Sequence, residues 1–151
     1  MQLNILPFDG QRPKPMLPSR DFLETLTEEG LRKLISDHYN LLVKSEIKNL
    51  FPTTEEELEK AKRNAADFFI QICGGPKYYN ENRGNPMMVK RHEPFHITPS
   101  ARVVWLQQYQ KLLLQLSIPD NLILEYWNYI NVFSTWMVNS NEPIKLNIKL
   151  Y

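Results

Sequence analysis

Apolar side chains recur at intervals of three and four in four long stretches of the chain, and segments rich in proline, glycine or charge divide them. The first stretch opens at Thr27, whose hydroxyl is placed to cap a helix, with Glu28 and Glu29 at the positive end of its dipole. Leu31, Leu34, Ile35, His38, Tyr39 and Leu42 then share one face. Leu50, Phe51 and Pro52 close this region. Thr54, followed by Glu55, Glu56 and Glu57, repeats the capping pattern and starts the second helix. Its apolar face is Leu58, Ala61, Ala65, Phe68, Phe69 and Ile72, with Glu59, Lys60, Lys62, Arg63 and Asp67 opposite. Ala61 and Ala65 leave a narrow strip that either another helix or a bound ligand can approach closely. The third helix begins near Thr98, with Pro99 in its first turn, and carries Val104, Trp105, Tyr109, Leu112, Leu113 and Leu116. The fourth starts near Pro119 and Asp120 and buries Leu122, Ile123, Tyr126, Trp127, Ile130, Phe133, Trp136 and Met137. No run of strands separates these helices, so the pattern predicts an all-α fold, most simply two antiparallel helix pairs.

Between the second and third helices lies Gly74 to Trp105, which holds three of the five glycines and four of the eleven prolines. Gly74 and Gly75 stop the second helix and Pro76 prevents its resumption. The span is therefore stiff and irregular, and it holds two of the three histidines. Residues 1–18 carry Pro7, Pro13, Pro15 and Pro18 and read as a loosely packed arm rather than a regulatory or dimerising strand. The expected organisation is an N-terminal extension at 1–26, a domain at 27–139 and a C-terminal tail at 140–151. Alternation at Ile144, Leu146, Ile148 and Leu150 makes that tail either an added strand or a disordered end.

Size and composition narrow the field. A domain of 151 residues buries roughly two-thirds of the surface of its unfolded chain, enough for a true core. The chain is 42% hydrophobic and 23% charged with a net charge of +1, which gives no electrostatic footprint for nucleic acid. Cys73 is the lone cysteine, so neither an internal disulfide nor a cysteine-based zinc site can form. The first residues lack the charged start and apolar run of a secretion signal, and Gln115, Pro119, Asp120 and Asn121 interrupt the apolar stretch around Leu112 to Leu124. A cytoplasmic protein without a membrane partner is expected.

His92 is the sharpest candidate for chemistry. Lys90 and Arg91 beside it disfavour the imidazolium and keep the neutral, metal-binding ring, while Pro94, Phe95 and Ile97 supply a rigid apolar wall. The other constellations are weak. Gly74-Gly75 follows a helix and lacks the lysine of a phosphate-binding loop. His92 and His96 are four apart, but Pro94 breaks the helix that would align them, and no third ligand is evident. Glu55, Glu56 and Glu57 read as a helix start, not as paired catalytic acids.

Taken together, Gly74, Gly75, Pro76 and Tyr79, then Gly84-x-Pro86, then Arg91-His92-x-Pro94-Phe95-x-Ile97, with Trp105 eight residues beyond, resemble the truncated (two-on-two) haemoglobins of group II. The likeness runs from about Leu31 to Met137. It implies a globin-like two-over-two helical sandwich holding heme b, with His92 as proximal ligand of a five-coordinate iron and a carbonyl accepting its other ring proton. It places Tyr39 and Trp105 on the distal side as hydrogen-bond donors, Phe51 against the haem face and Ala61 at the gate. Ala65, Phe68, Tyr79, Met88, Arg91, Phe95 and Ile97 complete the expected cofactor contacts.

The function implied is binding of dioxygen and other diatomic gases. An alternative is turnover of nitric oxide or peroxide, which needs a reductase partner or a peroxide source. A third reading is a haem-free helical interaction module whose aromatics are only core. Monomer and homodimer both stay open. Four residues depart from the family pattern. Val89 stands where a basic residue is usual, leaving a propionate contact to Lys90, Tyr79 or Arg63. Ala65 replaces a larger or polar residue, Arg102 lies one residue late, and His38 stands where an aromatic is common, as polar core or as a proton route.

Overall fold

A computed structural model describes residues 1–142, and the alternation at Ile144 to Leu150 lies outside the described residues. Helix α1 spans Arg20–Leu42, α2 Glu55–Ile72, α3 Tyr78–Arg83, α4 Met88–His92, α5 Pro99–Leu113 and α6 Asp120–Met137, with a short 3-10 turn at Lys48–Leu50. The described residues contain no strand. The caps expected from the sequence are present: Thr54 Oγ1 accepts from Glu57 N–H at 3.3 Å, and Thr98 Oγ1 from Ala101 N–H at 3.1 Å.

The first helix corrects the sequence reading. Thr27 Oγ1 does accept from Gly30 N–H, at 3.1 Å, but a further helical turn precedes it from Arg20. Thr27 itself has φ 71° and ψ 162°, a strained conformation for a β-branched residue, and it breaks α1 in two. The strain persists because both halves are anchored. Phe22 is fully buried and stacks on Tyr126 at 4.8 Å, and Leu31 and Ile35 are buried on the other side of the break.

Asp67 also departs from the expected pattern: it is not on a solvated face but only 3% exposed. Its carboxylate accepts from Arg32 of α1 at 2.8 Å and from Asn82 of α3 at 3.1 Å. A buried charge is tolerated because both oxygens are occupied, and the bonds join three helices.

Helix α1 packs against α2, α5 and α6, α5 packs against α6, and α4 rests on α6. This is the two-over-two helical fold. The core is filled by Leu31, Ile35, Leu42, Ile70, Leu106, Leu113, Ile123 and Ile130 with Tyr109, Tyr126 and Trp127. Burial, and secondarily Glu125, push the Cys73 thiol up to about 12, which makes it an inert core residue. No helix among the described residues is long and apolar enough to cross a membrane.

The N-terminal arm is held more closely than its composition suggests. Leu3 is buried, and the arm's backbone is bonded by side chains of α5 and α6. Gln110 donates to Leu3 O at 2.7 Å, Trp127 Nε1 to Asn4 O at 3.1 Å, and Arg102 to Leu6 O at 2.7 Å. Asn131 both donates to Asn4 O at 2.8 Å and accepts from Leu6 N–H at 2.9 Å. Such partners lie 96 to 127 residues from the arm in sequence, and periodicity carries no trace of them.

Candidate functional site

A cavity of about 670 Å³ is lined by residues of α1, the 3-10 turn, α2, α3, α4, α5 and α6. That volume falls within the range of small-molecule and cofactor sites. Every site residue singled out in the sequence lines it: His92, Tyr39, Trp105, Phe51, Ala61, Ala65, Phe68, Tyr79, Met88, Arg91, Phe95 and Ile97.

His92 ends α4, and its Nδ1–H donates to the carbonyl of Met88 one turn earlier, at 2.6 Å. A carbonyl can only accept, so Nδ1 carries the proton and Nε2 keeps a lone pair for a metal. Burial lowers the affinity of His92 for a second proton and outweighs the opposing effect of the Met88 carbonyl. The backbone of His92 is also tied down. Asn139 Nδ2, just beyond α6, donates to His92 O at 3.1 Å, as does Phe95 N–H at 3.0 Å.

Arg91 organises the loop before it. Its Nε donates to Pro86 O at 2.6 Å and its Nη2 to Arg83 O and Asn85 O at 2.9 and 3.1 Å. The guanidinium lies 5.3 Å from the centre of the Tyr79 ring. Gly84 at φ 80° makes the turn that lets these carbonyls converge. Arg83 lines the cavity too, a residue that sequence reasoning missed. Lys90 and Arg63 do not line it, and Val89 is exposed. Arg83 belongs to α3, well ahead of the α4 positions where a cation was expected, and only the fold of the intervening loop brings it to the cavity.

Tyr39 and Trp105 face the cavity from α1 and α5. Burial pushes the Tyr39 phenol up to about 12, so it keeps its proton as a donor. Its ring meets Phe51 edge-on at 5.6 Å. The indole N–H groups of Trp127 and Trp136 are spent on Asn4 O and Pro13 O. By contrast, neither the Trp105 N–H nor the Tyr39 O–H has a protein partner among the described residues. His38 lies between them, donating from Nε2 to Trp105 O at 3.0 Å. Ala61 and Ala65 present only methyl groups from α2. Behind this wall Tyr109 and Tyr126 share a buried hydroxyl pair at 3.1 Å.

Arg102 is 2% exposed with only neutral partners. Its Nε donates to Ser134 Oγ at 2.8 Å and its Nη2 to Asn131 O at 2.6 Å, besides the bond to Leu6 O. Burial lowers its proton affinity. It serves the arm and α6.

One imidazole with a free Nε2, an apolar cleft walled by aromatic rings and arginines at its edge are the donor set that an iron porphyrin requires, so the residues present fit haem. An all-helical two-over-two fold closing on such a cleft defines a haem-binding globin. A profile of the bacterial-like globins matches residues 24–139, and the chain belongs to that family. It is similar to two-on-two hemoglobin-3 of Arabidopsis thaliana, 40% identical over 92 residues, which are 60% of this chain and 53% of the plant protein. The chain thus spans about half the length of that relative. It is also similar to the group 2 truncated hemoglobin YjbI of Bacillus subtilis, 28% identical over 79% of this chain and 89% of that one. The crystal structure of phosphate-bound Hell's gate globin IV superposes with a TM-score of 0.84 at 34% identity, covering 99% of this chain and 94% of that one. Globins of this kind carry heme b and bind diatomic gases such as dioxygen.

Proposed function

We propose that this globin retains dioxygen and related diatomic gases in a pocket with two protein donors on one side and a single histidine ligand, His92 Nε2, on the other. When bound, the haem supplies an iron with one open coordination position for the gas. The observation that carries the reading is the pair of unspent donors, Tyr39 O–H and Trp105 N–H, in the same cavity as His92.

Each residue then has a task. The Met88 carbonyl fixes the His92 tautomer and ring orientation. Phe51, Phe68, Phe95 and Ile97 would give the macrocycle an apolar lining, with Ala65 and Met88 in the same cavity, and Tyr79 packs against the Arg91 guanidinium. Arg83 and Arg91 offer positive charge for the propionates. Tyr39 O–H and Trp105 N–H would be the protein's hydrogen-bond donors to a gas molecule held in the cavity. Each such bond is worth roughly 1 to 2 kcal/mol, and about 1.4 kcal/mol is tenfold in an equilibrium constant. Two donors therefore tighten binding about thirty- to a thousandfold over an apolar pocket, which suits a holder better than a carrier.

The methyl groups of Ala61 and Ala65 leave a short route unobstructed, which favours a second use of the same site, turnover of nitric oxide or peroxide with a reductase partner or peroxide source. Steady-state assays with a reducing system separate the two. The test of the main reading is Trp105→Phe in the haem-loaded protein. The dioxygen dissociation rate is expected to rise about tenfold, from the loss of one donor. An unchanged rate overturns the assignment, and His92→Ala, expected to lose haem absorbance, checks the proximal side.

A further inference from the structure

The two donors sit on different helices, Tyr39 on α1 and Trp105 on α5, so their separation depends on what holds those helices in register. The residue beside Tyr39 makes that link. His38 is 1% exposed, and its Nε2–H donates to Trp105 O at 3.0 Å. That carbonyl also lies in the α5 backbone ladder, but a carbonyl has two lone pairs and can accept twice. The ring is held on three sides. It stacks on Tyr109 with centroids 3.6 Å apart and planes at 24°, and meets Trp105 edge-on at 5.2 Å and Tyr39 at 6.5 Å.

We propose that His38 is a positioning residue that fixes Trp105 against Tyr39 and so sets the geometry of the gas-binding side of the cavity. The inference rests on the reading of those two residues as donors. A plain aromatic at this position can also stack on Tyr109, but it has no N–H for the carbonyl. What the histidine adds is direction. A buried hydrogen bond has a narrow range of distance and angle, whereas ring packing tolerates sliding along α5. Burial also keeps the ring neutral, with its proton affinity lowered to about 3, so the donor is not exchanged for a mobile charge at neutral pH.

The experiment compares His38→Phe and His38→Gln in the haem-loaded, carbon monoxide-bound protein, because glutamine Nε2 reproduces the position of the imidazole donor without the ring. Two quantities are read: the NMR resonance of the Trp105 indole N–H, and the dioxygen dissociation rate. In His38→Phe the indole resonance is expected to shift and broaden, and the dissociation rate to rise about threefold to tenfold. In His38→Gln both are expected to return toward wild type. A wild-type indole resonance in His38→Phe overturns the proposal, as does a glutamine variant no closer to wild type than phenylalanine. The indole resonance reports placement whether or not Trp105 touches the gas. A shifted resonance with an unchanged rate in both His38→Phe and Trp105→Phe therefore supports the positioning role and overturns the donor reading instead.

Discussion

At the scale of single residues, burial turns His38 into a liability in acid. Its folded-state proton affinity is lowered to about 3 from 6.5, chiefly by desolvation and against the effect of the Trp105 carbonyl. Above pH 6.5 the ring is neutral in both folded and unfolded chains and pH has no hold on it. As pH falls below 6.5 the unfolded chain takes up a proton that the folded chain refuses, so stability is lost by about 1.4 kcal/mol per pH unit until the folded value is reached. His92, shifted in the same direction, adds to the slope. Urea unfolding of wild type and His38→Phe at pH 7 and pH 5 isolates the first term. The wild type is expected to lose about 2 kcal/mol more than the variant between the two, from one and a half pH units below 6.5. Equal losses contradict a neutral, buried His38. The residues proposed as ligand and donors could be singled out because the motif around His92 is specific, and the structure brings them to one cavity. Arg83 was not, since nothing distinguishes it from other cations until the loop at Gly84 folds back toward Arg91.

At the scale of elements, the caps at Thr54 and Thr98 could be read because they are local, a hydroxyl and the amide three residues on. The turn from Arg20 to Leu26 was hidden by the break at Thr27, where a sound capping residue marked an interior strain as a beginning. Helices α3 and α4, of six and five residues, are too short to show periodicity. What ends α2 is stricter than a stop signal. A Cβ on Gly75 would lie 2.7 Å from side-chain carbons of both Leu23 and Ile70, and 2.8 Å from Ile70 O. Gly75 N–H also donates to that carbonyl at 3.0 Å. The close approach of α1 to this corner therefore requires glycine, and the corner starts the chain toward Tyr79 and the Arg91 loop. Gly75→Ala is expected to cost about 1 to 3 kcal/mol through forced backbone movement. A urea midpoint equal to wild type shows that the corner is looser than its geometry indicates.

At the scale of the whole molecule, the arm and the cavity share a wall. Ala101, Arg102 and Trp105 of α5 and Ser134 and Met137 of α6 line the cavity on one side of the helix pair. On the other side Gln110, Trp127, Asn131 and Arg102 spend their donors on the arm's backbone. Further along, Trp136 donates to Pro13 O at 2.8 Å and Arg12 to Val138 O at 2.7 Å, so the strap is fastened at two places. Arg102 is the shared piece, a buried cation whose hydrogen bonds are made to oxygens of the arm and of α6. Deleting residues 1–6 removes the buried Leu3 side chain, worth about 2 kcal/mol. It also frees several donors that water only partly satisfies, at roughly 1 kcal/mol for each net hydrogen bond lost. The expected outcome is a fall of about 2 to 5 kcal/mol in unfolding free energy, with haem still bound through His92, because no residue of the arm lines the cavity. Urea titration followed by both circular dichroism and haem absorbance checks it. Wild-type stability after the deletion means that water replaces the arm without loss. Loss of haem at full helicity means instead that the strap is needed to hold the cavity wall in place.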